Sequence, residues 1–265
     1  MLSAVHRTKW LGKTLKFFES VGSTQDVARE WVLSGAPHGA VVVADMQTCG
    51  RGRAGRSWFS PPGKNLYFTA ALKLPDLHPP LGTLSLLVGV ALAKALRKFG
   101  AEVFVKWAND IVSGSGRKLA GILIEGFEPE PQKFWALVGV GINVNITETE
   151  FPNDLRLTAT SLKLVCGKEL DRFEVLTEVL CSLETWWEMW SNNDLASFQQ
   201  AFNELDWLKG KWVSALLPNG TTIEGTASGI TEDGELRLVL PDRTEQRLVA
   251  GDVTVRLVSL EGNEC

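Results

Sequence analysis

Apolar and polar positions follow two different periodic patterns along most of the chain. Short runs rich in β-branched and aromatic residues, bounded by Gly, Pro or Asn, predict strands. These runs lie at 15–20, 39–47, 65–74, 102–107, 119–127 and 134–145. Apolar residues three or four positions apart predict helices. The helices lie between an N-cap at Ser23 or Thr24 and a stop at Gly35, and at about 81–99, 172–190 and 195–205. This mixture predicts an α+β or α/β main body.

The pattern changes after about Lys209, where the helical spacing disappears. Short strand-like segments follow, joined at Asn219-Gly220 and Asp233-Gly234, which are dipeptides typical of tight hairpin turns. Several short strands at this spacing predict a small, separate β-barrel. We therefore expect a larger domain at 1–207 and a smaller one at 208–265.

Composition and charge narrow the classes of function. The chain has 265 residues, of which 45% are hydrophobic, and this is enough for a sizeable core. A formal net charge of −4 does not favour a bulk electrostatic grip on nucleic acid. The histidines and cysteines form no paired ligand motif, so a zinc site and a Ser-His-Asp triad are both disfavoured. The cysteines are better explained as free thiols in a reducing compartment.

No segment predicts a membrane span or a secretion signal. The most apolar run, LSLLVGVALAKAL at 84–96, is shorter than a bilayer requires and contains Lys94. The amino-terminal residues lack an apolar run followed by a small-residue cleavage site. We therefore expect a cytoplasmic protein that does not contact a membrane.

The candidate chemistry begins with QTCGRGRAGRSWFSPPG at 47–63. Its glycines match the G-x-G-x-x-G dinucleotide fingerprint, but that fingerprint must open a helix, and Pro61 and Pro62 follow here instead. A Walker loop is excluded because no Gly-Lys-Ser/Thr follows. Two interpretations stay open: a solvated basic loop, or a mobile loop that orders around an anion. Glycines would let its backbone approach a ligand closely, and arginines would grip phosphate or carboxylate through paired hydrogen bonds.

A second cluster, KWANDIVSGSGRKLAGILIEG, occupies 106–126. It brings Asn109 and Asp110 from a strand into a loop that returns through Lys118. Asp110 is either a loop cap or a residue that holds Mg²⁺ through water. Lys118 is either a snorkelling surface cation or a fixed cation aimed at an acyl phosphate.

Two shorter clusters are weaker signals on their own. GVGINVN at 139–145 combines glycines that allow close packing with the amide of Asn143, and a core strand explains it equally well. Ser23, Thr24 and Gln25 form either a simple helix N-cap or a group of hydrogen-bonding side chains for a neutral polar ligand.

Taken together and in this order, the clusters resemble those of the biotin protein ligases. The matching stretches are STQD, QTCGRGRAGRSWFSPPGKNLYF, KWANDI with RKLAGILIE, GVGINVN and the β-rich tail. The resemblance covers about residues 15–258 and implies an α+β catalytic domain, with a mixed β-sheet and helices, followed by an SH3-like β-barrel. Because the amino terminus is too short for the DNA-binding domain of some members, it implies the monofunctional type, which does not bind DNA.

The resemblance implies a two-step reaction. The biotin carboxylate attacks the α-phosphate of ATP, with Mg²⁺ as the metal, and gives biotinyl-5′-AMP and pyrophosphate. A lysine of a biotin carboxyl carrier domain, in a biotin-dependent carboxylase such as acetyl-CoA carboxylase, then attacks the mixed anhydride. Neither step needs a covalent enzyme nucleophile, so the protein mainly positions two anions and neutralises developing charge. The family includes dimers and monomers, and the residues leave a homodimer open.

Position by position, the resemblance also implies roles for residues. The catalytic candidates are Arg51, placed closest to the acyl phosphate, Lys118, and Asp110, which is also the magnesium candidate. The biotin-binding candidates are Ser23, Thr24, Gln25, Gln47, Gly50, Arg51, Gly52, Arg53, Lys118 and Gly121. The ATP- and adenylate-binding candidates are Arg53, Arg56, Trp58, Asn109, Lys118 and Asn143.

The sequence departs from the family pattern in places, and two rival functions remain. Ala108 stands where the family usually has proline, and Gln25 where it more often has asparagine. A lipoate ligase or octanoyl transferase would share the catalytic fold, but a transferase needs a nucleophilic cysteine, and Cys49 has no evident general base beside it. A non-enzymatic binder that uses the basic loop is disfavoured by the acidic net charge and by Lys118.

Overall fold

The protein is described by a computed structural model that covers residues 7–75, 79–250 and 254–257. These residues form a mixed sheet of seven strands covered by helices, and a second, antiparallel sheet of five strands. The α+β class with a small SH3-like β domain is thereby confirmed. The end of the predicted second domain, at 258–265, lies outside the described residues. Within the described ranges, no helix has the length and apolar character needed to cross a membrane.

The larger sheet is built by the strands of the first domain. They are β1 (Leu15–Val21), β2 (Ala40–Gln47), β3 (Leu66–Lys73), β4 (Val103–Lys106), β5 (Asp110–Ser113), β6 (Lys118–Glu130) and β7 (Lys133–Ile142). Their order across the sheet is β1-β2-β3-β7-β6-β5-β4. Only the β1–β2 pair is parallel, and the others are antiparallel. The long β6–β7 hairpin therefore lies near the middle of the sheet.

Helices cover both faces of this sheet. They are α1 (Thr24–Leu33), α2 (Gly82–Arg97), α3 (Leu162–Cys166), α4 (Arg172–Ser191) and α5 (Leu195–Leu205). Residues of α2, which is buried on most sides, and of α4 build the large core on one face. α1 packs on the opposite face through Ala28 and Val32, against Val42 and Leu137. The amino-terminal end of α1 thus lies over the β6–β7 hairpin.

Two short elements differ from the sequence-based expectation. The sequence predicts that Asp110 enters a loop, but this prediction is wrong: Asp110 begins β5 and pairs with Lys106 of β4. Burial of Ile111 and Val112 stabilises this strand, and two apolar residues beside a Gly/Ser stretch are too few to show alternation. The five-residue helix α3 is likewise too short for a helical period to appear in the sequence.

The smaller domain contains β8 (Trp212–Leu216), β9 (Thr222–Ile230), β10 (Leu236–Val239), β11 (Glu245–Leu248) and β12 (Thr254–Leu257). The expected hairpin turns have Gly220 at φ 81° and Gly234 at φ 82°, a conformation that glycine adopts without strain. The β9–β10 hairpin packs against the first domain, because Nε1 of Trp107 donates to the carbonyl of Gly234 at 3.0 Å. This contact brings the small domain close to the KWANDI segment.

Candidate active site

Two facing glycines flatten the floor of the site. Gly121 of β6 and Gly141 of β7 are paired across the sheet, and the indole of Trp58 lies directly on them. A Cβ added at Gly141 would come within 2.4 Å of Nε1 of Trp58, and one added at Gly121 within 2.9 Å of its ring. Glycine at both positions is therefore what makes space for the indole.

An inner cavity of about 50 Å³ lies beside this floor. Its walls come from the start of α1, the end of β2, the Gly/Arg loop and the β6–β7 hairpin. The sequence-predicted residues that line it are Ser23, Thr24, Gln25, Gln47, Arg51, Gly52, Arg53, Trp58, Asn109, Lys118 and Gly121. Gly50 does not line it and lies behind Gln47, since a Cβ there would be 3.2 Å from Nε2 of Gln47.

The amide of Gln25 forms the polar end of the inner cavity. Its Nε2 donates to the carbonyls of Leu123 at 3.0 Å and Leu137 at 3.4 Å. Two carbonyl acceptors fix the orientation of the amide. Its Oε1 is buried and has no hydrogen-bond partner within the described structure. A buried acceptor left in this state costs about 1–3 kcal/mol, so this oxygen is set to accept a hydrogen bond from a ligand.

A hydrogen-bonded chain behind Gln25 holds this end of the cavity rigid. The backbone N–H and the hydroxyl of Thr24 donate to Oε1 of Gln47 at 2.9 and 3.1 Å. The hydroxyl of Thr69, buried on β3, donates to that of Thr24 at 2.8 Å. Ser23 is the N-cap of α1 and accepts from the N–H of Gln25 at 3.3 Å. Thr69 was not foreseen, because its position in a strand reveals only which face it shares.

The Gly/Arg loop is a small folded hairpin. The N–H of Gly52 donates to the carbonyl of Arg56 at 2.7 Å, and that of Trp58 to the carbonyl of Gly50 at 2.8 Å. A single 3-10 turn, Arg53–Gly55, forms its tip, with Ala54 at φ 54°. Backbone hydrogen bonds thus give the loop a definite shape.

The arginines of the loop contact different walls of the site. Nη2 of Arg51 lies 2.8 Å from Oδ1 of Asp26 and 3.3 Å from Oε1 of Glu125. Nη1 of Arg53 instead donates to Oδ1 of Asn109 at 3.1 Å. The charge of Arg51 is therefore paired with carboxylates, whereas Arg53 contacts a neutral amide between the two cavities. The prediction that Arg51 is the arginine closest to the acyl phosphate stays a prediction.

An outer cavity of about 590 Å³ opens on the other side of Trp58, a volume typical of ligand sites. The sequence-predicted residues that line it are Gly52, Arg53, Arg56, Trp58, Asn109, Asp110, Lys118 and Asn143. Trp58 and Lys118 line both cavities, with Nζ of Lys118 lying 5.2 Å from the centre of the indole ring. These two side chains mark the boundary at which contents of the two cavities would meet.

Positive charge dominates the outer cavity. Its cations are Arg53, Arg56, Lys106, Arg117, Lys118 and Arg256, and the carboxylate among its described lining residues is Asp110. Asp110 lies 2.7 Å from Nζ of Lys118. Burial lowers the pKa of Lys106; Asp110 opposes this shift, while Lys118 and Arg256 lower the pKa further. An entering polyanion would relieve this repulsion between cations.

The two predicted asparagines are held by the backbone. Nδ2 of Asn109 donates to the carbonyl of Ile122 at 2.9 Å. Nδ2 of Asn143, which is buried, donates to the carbonyl of Thr160 at 3.0 Å. These bonds fix both side chains at the edge of the outer cavity, and the predicted contact of Asn143 with adenine stays a prediction.

The described residues fit a magnesium ion that arrives together with a nucleotide. Among the described residues, no three His, Cys, Asp or Glu side chains converge on one point. Mg²⁺ commonly takes one or two protein carboxylates and completes its shell with water and substrate phosphates. Asp110 in the cation-rich outer cavity fits that arrangement.

Several residues of the site escaped sequence reasoning. They are Asp26, Glu125, Lys106, Gly141 and Arg256. Four of them lie inside the quoted motifs, so those motifs were a signal that could have found them: Asp26 in STQD, Glu125 in RKLAGILIE, Lys106 in KWANDI and Gly141 in GVGINVN. No motif contains Arg256, because it lies in the last described strand of the small domain.

Comparison with known proteins adds independent evidence. Residues 17–143 match the Biotin/lipoate A/B protein ligase family, and residues 210–256 match the Biotin protein ligase C terminal domain. The Bifunctional ligase/repressor BirA of Bacillus subtilis is 34% identical over 236 residues, which are 88% of this chain and 71% of the relative. The Biotin--[acetyl-CoA-carboxylase] ligase of Mycobacterium tuberculosis is 31% identical over 247 residues, 91% of this chain and 88% of the relative.

Solved structures share the fold over nearly their whole length. The biotin protein ligase of Aquifex aeolicus in complex with biotin and ATP superposes with a TM-score of 0.82 at 30% identity, covering 93% of this chain and all (100%) of the other. The biotin protein ligase of Leishmania major in complex with biotinyl-5-AMP gives a TM-score of 0.63 at 26% identity, covering 89% and 99%.

Proposed function

The chain belongs to the biotin protein ligase family, and from that premise we propose how its own residues carry the reaction. It catalyses the ATP-dependent ligation of biotin to a lysine of a biotin carboxyl carrier domain, by way of biotinyl-5′-AMP. The structures of relatives hold biotin with ATP, and biotinyl-5-AMP. The two adjoining cavities of this chain suit the two halves of such an adenylate.

The unpartnered Oε1 of Gln25 is the observation that carries the assignment of biotin. This buried acceptor needs an N–H donor. The ureido ring of biotin offers two N–H groups, whereas lipoate and octanoate offer none at the corresponding end. The inner cavity therefore favours biotin over the substrates of the related lipoate enzymes.

The first step follows from the placement of charge. With its ureido ring at Gln25, biotin would extend its carboxylate along the floor towards Trp58 and Lys118. ATP in the outer cavity would bring its α-phosphate to the same boundary. The carboxylate oxygen attacks phosphorus and pyrophosphate leaves. Arg53 and Lys118 offset the negative charge on the reacting groups. Lys106 and Arg256 offset the negative charge on the leaving pyrophosphate. Orientation of two anions supplies the remaining catalysis.

The second step needs an acceptor amine but no protein nucleophile. The amine of the carrier lysine attacks the acyl carbon of the adenylate, an amide forms, and AMP leaves. The acceptor would be the carrier domain of a biotin-dependent carboxylase. Mg²⁺ would accompany ATP, held by Asp110 and the phosphates, and would neutralise phosphate charge.

Location and assembly are further proposals. Cys49, Cys166 and Cys181 are free thiols, which supports a reducing, cytoplasmic location. Edge-to-edge dimerisation would use β1, since the outer side of β4 is already bonded where the N–H of Trp207 donates to the carbonyl of Val105 at 2.9 Å. Sedimentation of Glu19→Pro against the wild type tests this, because the N–H of Glu19 faces away from β2: equal masses at every concentration would rule out a β1 dimer.

Pyrophosphate release from ATP, without a carrier, tests the proposed function. Biotin, lipoate and octanoate are supplied separately. Biotin should give release well above the other two acids. Release with lipoate or octanoate instead would move the chain to the lipoate branch of the fold, and release with none, together with no binding of biotin in a calorimetric titration, would contradict the ligase function.

A further inference from the structure

An ion-pair cluster ties the Gly/Arg loop to the body of the protein. Nη2 of Arg51 lies 2.8 Å from Oδ1 of Asp26 and 3.3 Å from Oε1 of Glu125. Nη2 of Arg29 lies 3.3 Å from the other carboxylate oxygen of Glu125. Arg51 is thus shared by two carboxylates. The reaction described above uses neither of them.

The two carboxylates belong to two different elements that contribute to the inner cavity, and both lie close to the same nitrogen of Arg51. Asp26 is in the first turn of α1, next to Gln25. Glu125 is on β6, two residues beyond Leu123, whose carbonyl accepts from Gln25. Arg51 therefore connects the loop to both α1 and β6, while the Arg53–Asn109 hydrogen bond fixes the other side of the loop.

The loop has to open before biotin can bind. The inner cavity of about 50 Å³ has room for only one or two water molecules. Contacts that hold the loop closed, but break each time biotin enters, must be individually weak. We call the ion pairs of Arg51 with Asp26 and Glu125 the clasp. The side chains of Arg51, Asp26 and Glu125 are 42%, 53% and 25% exposed, and partly exposed ion pairs of this kind are weak singly and contribute more when they form a network.

We propose that Asp26 and Glu125 are positioning residues that hold the loop closed through Arg51, and thereby retain biotinyl-5′-AMP until the carrier lysine arrives. This inference rests on the proposed function. Neither carboxylate touches the reacting atoms. Because a mixed anhydride that escapes is hydrolysed by water, retention by the loop determines how much of it reaches the carrier.

The test is the release of adenylate from the full chain with both clasp carboxylates neutralised. Asp26→Asn/Glu125→Gln and the wild type are loaded with radiolabelled biotin and ATP without a carrier, then chased with unlabelled biotin, and free biotinyl-5′-AMP is followed. We expect release to accelerate about three- to thirtyfold, from two exposed ion pairs. The initial burst of pyrophosphate should stay within about twofold of the wild type, since adenylation does not use these groups.

Ionic strength and matched variants separate a clasp from general damage. Salt should speed release from the wild type, because it screens exposed ion pairs, and should speed release from the double variant less, since only the attraction between the adenylate and the cations of the outer cavity is left to be screened there. Arg51→Lys keeps the positive charge but loses the paired N–H groups of the guanidinium. It should release adenylate at a rate between those of the wild type and the double variant. Glu204→Gln removes a comparable exposed partner, at 3.3 Å from Lys94 on distant helices, and should release adenylate at the wild-type rate.

The outcomes separate the inference from the function. If the wild type forms no adenylate from biotin, the proposed function fails. If the wild type forms it and the double variant releases it no faster, or loses the pyrophosphate burst in the same proportion, the clasp is overturned. Faster release with an intact burst supports it.

Discussion

Gln25 and Lys118 lie at the two ends of the path proposed for biotin. Gln25 offers a buried oxygen without a partner, and Lys118 lies beside Asp110 and Trp58 at the boundary of the two cavities. Their proposed roles differ, because Gln25 would meet the neutral ureido ring of biotin and Lys118 its carboxylate. Each can therefore be tested by a different measurement.

Gln25→Met should weaken biotin binding with little change in binding of ATP. Met keeps the length of the side chain and removes the acceptor, so the loss should be about 1–3 kcal/mol, roughly ten- to hundredfold in Kd. Calorimetric titration with biotin measures it. Gln200→Met, on the exposed face of α5, is the control, and an unchanged Kd for Gln25→Met would show that the ureido ring lies elsewhere.

Lys118→Ala should abolish adenylation while the fold stays intact. The variant removes a cation from the point where negative charge develops, which costs about a hundredfold or more in rate. Pyrophosphate release measures the rate, and circular dichroism with the melting temperature checks the fold. Lys94→Ala, at an exposed ion pair far from the cavities, should behave as the wild type. Normal release from Lys118→Ala would leave Lys118 as an ordinary surface cation.

At the scale of elements, the β6–β7 hairpin acts as the floor of the site. Its paired glycines let the indole of Trp58 lie on the sheet without a gap. The same hairpin presents the carbonyls of Leu123 and Leu137 to Gln25. Strand pairing therefore positions both the aromatic boundary and the polar end of the inner cavity.

Gly141→Ala should displace Trp58 and impair the site without destabilising the protein. A methyl group 2.4 Å from Nε1 of Trp58 forces the indole to move, whereas alanine is favoured over glycine within a strand by about 0.5–1 kcal/mol. We expect the KM for ATP to rise several-fold and the melting temperature to be unchanged or higher. In Gly126→Ala the new methyl group meets only a carbonyl at 3.9 Å, so the KM should not change. Equal KM values for ATP in the two variants would show that Gly141 is not needed to make space for Trp58.

At the scale of the whole molecule, both domains contribute to the outer cavity. Their apolar residues belong to one continuous core, and the Trp107–Gly234 hydrogen bond joins them beside the KWANDI segment. This contact places Arg256 of β12 among the residues that line the cavity. The small domain thereby contributes to the cavity that we propose for ATP.

Arg256→Ala should weaken the binding of ATP and leave that of biotin unchanged. Loss of one partly solvated cation facing a triphosphate should raise the KM for ATP about five- to thirtyfold. Steady-state kinetics at saturating biotin measure it. Arg247→Ala removes an exposed arginine of β11 that pairs with Glu245 and serves as the control. An ATP KM equal to that of the control would exclude Arg256 from the nucleotide site.

The sequence predicted the larger elements because each contains enough residues to show its period. The strands of the β6–β7 hairpin have 13 and 10 residues, and the helix α4 has 20. β5 and α3 were not predicted, because an element of four or five residues is too short to show alternation or a helical period. Most of the residues that line the cavities lie within the quoted motif stretches, although the roles of those residues remain predictions.

What the sequence by itself determined is the set of chemical groups: a glycine-arginine loop, a lysine and an aspartate near a strand, and a polar helix start. What only the tertiary structure decided is which groups face each other. Arg51 and Arg53 are two positions apart, yet one meets the carboxylates of Asp26 and Glu125 and the other the amide of Asn109. That difference depends on the turn of the loop and on strands distant in sequence. Local patterns record neither, because charge pairing depends on distance in space.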